Sequence, residues 1–141
     1  LIDEANMLQQ QELMEELRGF LNLEVPGSKL ITFILFGLPN LDENLALDAP
    51  LAQRVAVKCR LTALGEETCK AYIRHRLKVA GALREIFTEE VLTQIARDSR
   101  GIPRLVNTIC DNVLLEGYIR KRERLDVALV QDVVRDLGLV G

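Results

Sequence analysis

Histidine, cysteine and long apolar runs are scarce in this chain, and each scarcity removes a class of function. The only histidine, His75, stands at no metal-ligand spacing from Cys59, Cys69 or Cys110, and no CxxC pair occurs. Three widely spaced cysteines, odd in number, read as buried free thiols of a reducing compartment, which points to the cytoplasm. The longest apolar run, Leu30–Leu38, holds Thr32 and Gly37 and is far too short to span a bilayer. Signal peptide and initiator Met are both missing, so Leu1 reads as a fragment boundary. Neither sign of charge dominates: 18 Lys and Arg stand against 21 Asp and Glu, a net charge of −3. That leaves no global field drawing the chain to nucleic acid or anionic lipid. The loop acids Asp42, Glu43 and Asp48 fit no Ca²⁺-loop spacing. What remains is an ordinary globular balance, 48% hydrophobic and 28% charged over 141 residues. It is enough for one domain, or two small subdomains, with a real core.

Along the chain, Leu1–Asp3 reads as the last turn of a buried strand. An amphipathic helix follows over roughly residues 7 to 24, with Leu13, Met14, Leu17, Phe20 and Leu21 inward and Glu12, Glu15, Glu16 and Arg18 toward water. Pro26-Gly27 ends it. Leu30–Phe36 is a nearly continuous apolar run of the kind found in parallel strands covered on both faces. Pro39–Pro50 reads as a loop with about one helical turn, and Val55–Leu61 as a third strand. A strand, helix, strand, helix, strand order implies a parallel sheet with right-handed crossovers.

After Leu61 the pattern turns wholly helical, dividing the chain into residues 1–61 and 62–141. Helices are expected from Glu66 to Ala80, from a Thr88 cap, from Gly101-Ile102-Pro103, and from an Asp126 cap. The inward residues would be Cys69, Tyr72, Ile73, Leu77 and Ala80; Val91, Leu92, Ile95 and Ala96; Val106, Ile109, Cys110, Val113 and Tyr118; Val127, Val130, Val133 and Val134. Glu66 and Glu67 suit the positive end of their helix. The expected fold class is α/β, about three strands of parallel sheet followed by a four-helix domain, mostly helical overall.

Three places could carry chemistry. Asp3-Glu4 closes a buried strand, where an Asp can hold Mg²⁺ through water while the adjacent Glu polarises an attacking water. The same two carboxylates could equally cap the following helix. In Gly101-Ile102-Pro103-Arg104, Pro fits a helix's first turn, which puts Arg104 against the dipole by a few tenths to about 1 kcal/mol. A cation so placed suggests a nearby anion, since helix N-termini suit phosphate; pairing with Asp98 is the plainer alternative. Arg54, just before the third strand, could reach a neighbouring subunit's phosphate as an arginine finger or simply stay exposed. Arg120-Lys121-Arg122-Glu123-Arg124 reads as a solvated loop without aromatics, and His75 as an exposed spectator.

In series these pieces resemble the second half of an AAA+ ATPase, and within that superfamily the general secretion pathway protein A (ExeA-type) family. The residues that carry the likeness are Leu1-Ile2-Asp3-Glu4-Ala5-Asn6, Glu16-Leu17-Arg18, Phe36-Gly37-Leu38-Pro39-Asn40-Leu41, Leu51-Ala52-Gln53-Arg54-Val55, Tyr72–Leu77 with Ala80-Gly81, and Ser99–Asn107. The resemblance implies a P-loop NTPase fragment, Walker B strand onward, with residues 62–141 as the helical lid. It makes Asp3 and Glu4 the Walker B pair, with Asp3 on Mg²⁺ and Glu4 orienting the hydrolytic water. Arg104 becomes the sensor-2 arginine and Arg54 the candidate arginine finger. The family's Gly-Gln-Pro-Glu is here Gly37-Leu38-Pro39-Asn40. Leucine cannot hydrogen-bond water or phosphate, so either Asn40 takes that role or hydrolysis is altered.

The resemblance further implies ATP and Mg²⁺ as cofactors of the parent, self-association into a ring or dimer, and an inner-membrane partner in type II (general) secretion. Family members often continue into a transmembrane helix. No G-x-x-x-x-G-K-[ST] loop occurs in these residues, so tight ATP binding and turnover are not expected of the chain alone. A non-hydrolysing helical adaptor and a DNA-associated transposition-type ATPase are the alternatives.

Overall fold

The computed structural model describes residues 1–139, and the chain divides after Arg60 into two compact units. The first opens with a 3-10 turn, Ala5–Met7, followed by α1 (Gln11–Leu21). α1 starts four residues later than its sequence pattern suggests, because the backbone is still extended at Gln10. Pro26-Gly27 does more than end that helix: it forms the turn of an antiparallel hairpin, β1 (Glu24–Val25) with β2 (Ser28–Lys29), and Gly27 supplies the φ of +83°. Two short helices close the unit, α2 (Leu41–Ala46) and α3 (Ala49–Ala52), where a loop with one turn was expected. The core here is small: Met14, Leu45 and Leu51, flanked by Leu8, Leu21, Leu35, Leu41 and Val55.

Two strand expectations need correction. Leu30–Phe36 meets Leu1–Asp3 in parallel, but at a single bridge, Ile2 with Leu35. Its burial alternates: Ile31, Phe33 and Leu35 are half-buried, while Leu30, Ile34 and Phe36 are exposed. That is the period of a strand covered on one face, not two. Val55–Leu61 forms no strand at all, and Val57 and Leu61 are exposed. A strand needs a neighbour to receive its backbone groups, and no described residue pairs with this segment. Among the described residues the only sheet is therefore the two-stranded hairpin, and the described chain is mostly helical.

The second unit is all helix: α4 (Glu66–Val79), α5 (Glu89–Asp98), α6 (Pro103–Ile119) and α7 (Val127–Asp136). Caps form where the sequence places them. Thr88 Oγ1 accepts from Val91 N and Asp126 Oδ1 from Leu129 N. The core gathers Ile73, Phe87, Val91, Leu92, Ile95, Val106, Ile109, Val113, Val130 and their neighbours from all four helices. Each such apolar side chain contributes about 1.5–3 kcal/mol by leaving water. Tyr118 departs from the expected stripe and is exposed; Gly117 occupies the inward position, against Leu125. Cys69 and Cys110 are buried free thiols, and burial pushes Cys110 up to about 12 and Cys69 upward as well. Cys59, expected to be buried, is exposed. Among the described residues no helix is long and apolar enough to cross a membrane.

Lys70 is an unexpected buried cation. Its side chain is 7% exposed, and its ammonium lies 2.9 Å from Glu66, 2.9 Å from Glu67 and 3.1 Å from Glu89. Hydrogen bonds to Glu67 and Glu66 raise its pKa, and the Lys70 hydrogen bond holds Glu66 and Glu89 below the usual carboxylate range. A lowered carboxylate stabilises above its ordinary pKa and loses that effect as pH falls through the lowered value. A raised lysine stabilises below its ordinary pKa and loses that effect as pH rises past it. Urea midpoints of the helical unit should therefore fall toward both acid and strong alkali. Lys70→Met should lower the neutral-pH midpoint and flatten the acid limb; an acid limb as steep as in the parent would sink this account.

Candidate phosphate-site residues

The end of the first strand is fixed by backbone bonds before any side chain acts. Ile2 N donates to Ile34 O at 2.9 Å, Phe36 N to Ile2 O at 2.8 Å, and Ala5 N to Phe36 O at 2.7 Å. Asp3 and Glu4 therefore lie between two clamps that register them against Phe36. Glu4 is left-handed, with φ 53° and ψ 32°, a region costly for residues with a Cβ and concentrated at functional positions. Asp3 Oδ1 accepts from Glu4 N at 2.8 Å, and both side chains are exposed. The helix-capping alternative fails on geometry: Glu4 precedes the 3-10 turn without a side-chain cap bond, and α1 starts only at Gln11.

Asn6, which the sequence did not mark out as functional, joins this tip to the segment after the second strand. Its Oδ1 accepts from Leu38 N at 3.1 Å, and its carbonyl accepts from Asn44 Nδ2 at 2.6 Å. Gly37 permits the approach, since a Cβ there would lie 2.9 Å from Asn6 N and 3.1 Å from Asn6 Oδ1. The structure thus brings together Asp3, Glu4 and Gly37-Leu38. Leu38 and Asn40 are both exposed, and Asn40 precedes α2 without a side-chain cap bond.

Arg54 does not sit at the edge of a third strand, because there is none. It follows α3, exposed, and its Nη1 donates to Arg18 O at 3.3 Å. Arg18 itself was expected in water but turns toward buried Asp48, with Nε 3.4 Å from Oδ2. In the helical unit, Arg104 is the second residue of α6 and exposed. It forms no ion pair with any described residue, and the partner proposed from sequence, Asp98, is taken by Gln94 at 3.0 Å. The loop that presents it is built by Ser99, whose buried Oγ donates to Ala96 O and accepts from Gly101 N. Tyr72 OH donates to Asn107 Oδ1 at 3.1 Å, tying α4 to the same face of α6. Asn6, Ser99 and Asn107 have one sequence signal in common: each lies inside a segment that carries the family likeness.

Among the described residues no three of His, Cys, Asp and Glu converge on a metal-sized point. Asp3 has one carboxylate oxygen committed to Glu4 N and the other open to solvent. That fits a cation which keeps most of its waters and takes one protein carboxylate.

A general secretion pathway protein A of Aeromonas hydrophila is 39% identical over 127 residues, covering 89% of this chain and 23% of the relative. An uncharacterised HTH-type transcriptional regulator of Methanocaldococcus jannaschii is 26% identical over 144 aligned positions, 99% of this chain and 35% of the relative. The chain thus spans between about a quarter and a third of the length of these curated relatives. No family model matches, and no solved structure does. Over the residues that it shares with the Aeromonas protein, the chain belongs to the general secretion pathway protein A (ExeA-type) family.

Proposed function

We propose that these residues are the C-terminal part of an AAA+ ATPase module, the Walker B strand onward with its helical lid, serving general secretion in a longer parent protein. One observation carries most weight: the exposed Asp3-Glu4 pair, clamped in register with Phe36 and left-handed at Glu4, with Asn6 bonded to the Gly37-Leu38 segment. In this reading Asp3 holds the hydrated Mg²⁺ of ATP, which supplies charge neutralisation on the phosphates when bound. Glu4 accepts a proton from the attacking water. Arg104, an unpaired cation at a helix N-terminus, meets the γ-phosphate from the lid. Arg54 reaches a neighbouring subunit's nucleotide, and Asn40 substitutes for the polar residue that Leu38 is not. The parent works as a ring or dimer, in the cytoplasm, beside an inner-membrane partner.

The 141 residues contain no phosphate loop, so a fluorescent ATP analogue should not saturate on this chain at about micromolar concentration. In a longer natural chain that carries the loop, Mg²⁺-dependent turnover should appear, and Glu4→Gln should reduce it about 10²-fold with binding retained. Tight Mg²⁺-dependent binding to the 141-residue chain would sink the first statement. Unchanged turnover in the variant would sink the second.

The name of the Methanocaldococcus relative favours a DNA-associated reading, but the 120–124 loop adds little to it. Within 120–124, Arg120 is paired with Glu116 and Asp132 and Arg122 with Asp126, which leaves Lys121 and Arg124. Two cations without aromatics make a weak nucleic-acid face.

A further inference from the structure

The loop that leaves α4 holds a leucine in water and cannot withdraw it. α4 ends in a Schellman turn: Gly81 N donates to Lys78 O and Ala82 N to Leu77 O, each at 3.0 Å, with Gly81 left-handed at φ +92°. The chain is anchored again at Phe87, which is buried and bridges Leu125. Between these fixed points Leu83 is wholly exposed, and Val79 in the turn before is largely so. The same loop closes one side of a groove of about 390 Å³ against α5, walled by half-buried Leu77 and Ile86 over buried Phe87 and Leu92. That is the low end of ligand-pocket volumes, so the groove admits a few side chains rather than a domain face.

Charge at the groove leans one way. Residues 68–84 carry five bases and no acid. Two of the five, Lys70 and Arg74, are neutralised by Glu66, Glu67, Glu85 and Glu89. Lys78 and Arg84 line the groove, are exposed, and form no ion pair with a described residue. Glu85, the only acid among the lining residues, is turned to Arg74 instead. Lys78 lies in the last turn of α4, where the helix dipole favours a cation. Arg84 lies outside any helix and has no such reason. Apolar walls between two unneutralised cations call for apolar groups between two carboxylates.

We infer that this groove receives a short acidic amphipathic helix of another protein, whose apolar face rests on Leu77, Leu83 and Ile86 while its flanking carboxylates meet Lys78 and Arg84. The mode is a helix laid in an apolar groove, with charge deciding which helix is accepted. A protein segment fits better than an anionic membrane. Arg74 holds Glu85 and Glu89 beside the groove, and a flat lipid surface would meet those carboxylates as well, whereas a helix places its acids only where the free cations stand. Exposed ion pairs are individually weak and the area is small, so the complex is transient. None of Asp3, Glu4, Asn40, Arg54 or Arg104 takes part, and the inference stands without the ATPase reading.

Fluorescence anisotropy on the 141-residue chain tests it. The probe is a fluorescein-labelled synthetic helix of about 15 residues, with leucines at i, i+3 and i+7 and glutamates beside them. It should saturate with a Kd on the order of 10 μM at about 50 mM NaCl and bind about tenfold more weakly at about 500 mM. A scrambled peptide of the same composition, which has no apolar face, should lose about tenfold. Lys78→Glu with Arg84→Glu should abolish binding of the acidic peptide and create binding of the version with lysines for glutamates. Leu83→Ser should weaken the acidic peptide about tenfold. All three side chains are exposed, so each variant should keep the helical circular dichroism of the parent. An acidic peptide that does not saturate below about 1 mM would overturn the inference. So would equal binding of the scrambled peptide, or binding that the charge-reversed variant retains. Co-sedimentation with phosphatidylglycerol vesicles that Leu83→Ser removes, without peptide binding, would overturn it too and make this face a membrane contact.

Discussion

Gly101→Ala should cost the helical unit about 4 kcal/mol, most of what holds a domain of this size together. Gly101 is buried at φ +68°, in the turn between α5 and α6. A left-handed backbone with a Cβ costs about 1–3 kcal/mol when it is enforced. Sterics add more, since the new methyl would stand 2.0 Å from Leu64 O and 2.9 Å from Leu64 C and N. Those are backbone atoms, and Leu64 cannot rotate away. Its N donates to Gly101 O at 2.8 Å, so separating the two segments breaks that bond as well. Arg100 precedes it, also left-handed at φ 52°, but is exposed. Arg100→Gly should accordingly be neutral or slightly stabilising. Urea unfolding followed by circular dichroism separates the two positions. A Gly101→Ala loss below about 1 kcal/mol would show that the turn relaxes and that this account of the glycine is wrong. The same turn sets the direction in which α6 starts, so the glycine of Gly-Ile-Pro-Arg is a backbone requirement placed just ahead of Arg104.

How much could be read beforehand differs between the units, for a physical reason. In the helical unit each element closes its own backbone bonds, so periodicity and cap residues carry nearly all the information. Thr88, Asp126 and the inward sets of α5 and α7 follow from spacing alone. The exceptions are helix ends: Ala80, expected inward, is exposed just past α4, and at the end of α6 an extrapolated stripe put Tyr118 inward, where Leu125 needs the space and only Gly117 leaves it. Strands depend on neighbours that the pattern does not name. Leu30–Phe36 reads as doubly covered because it is apolar throughout, yet only its odd positions are packed. Val55–Leu61 alternates like a strand but finds no partner backbone.

Polar contacts between distant positions were the least legible. Asn6 with Leu38, Tyr72 with Asn107, and Lys70 with Glu89 are chemically reasonable but have no marker in local spacing. The candidate site divides likewise. A strand tip at Leu1–Asp3 and a parallel neighbour were expected, whereas the register of Asp3-Glu4 against Phe36, the left-handed Glu4 and the Asn6 tether were not.

Asp48→Ala should destabilise the first unit by about 2–4 kcal/mol, a large share for a unit whose buried core is three side chains. Asp48 is buried and does two jobs. Its Oδ1 accepts from Leu51 N at 2.9 Å, capping α3, and its Oδ2 lies 3.4 Å from Arg18 Nε on α1. Losing the cap alone costs about 1 kcal/mol. The larger part comes from what is left behind. Arg18 Nε is buried and has no hydrogen bond of good geometry even in the intact protein. Without the carboxylate, Arg18 Nε stays out of water with no acceptor beside it, and removing one partner of such a pair is far costlier than removing both. The Arg18 side chain is 27% exposed and has Glu15 at 3.6 Å, which keeps the loss toward the lower end. Asp48→Asn retains the cap and deletes only the charge, so it should fall between parent and alanine. Arg18→Met with Asp48→Ala should recover part of the loss, because no cation remains to be stranded. A double variant no better than Asp48→Ala would mean that the cap dominates and that Arg18 is a bystander. The consequence reaches Arg54, whose side chain donates to Arg18 O. If α1 and α3 are held together by this pair, Asp48 also aims the candidate finger arginine, through the Arg18 carbonyl that Arg54 Nη1 meets.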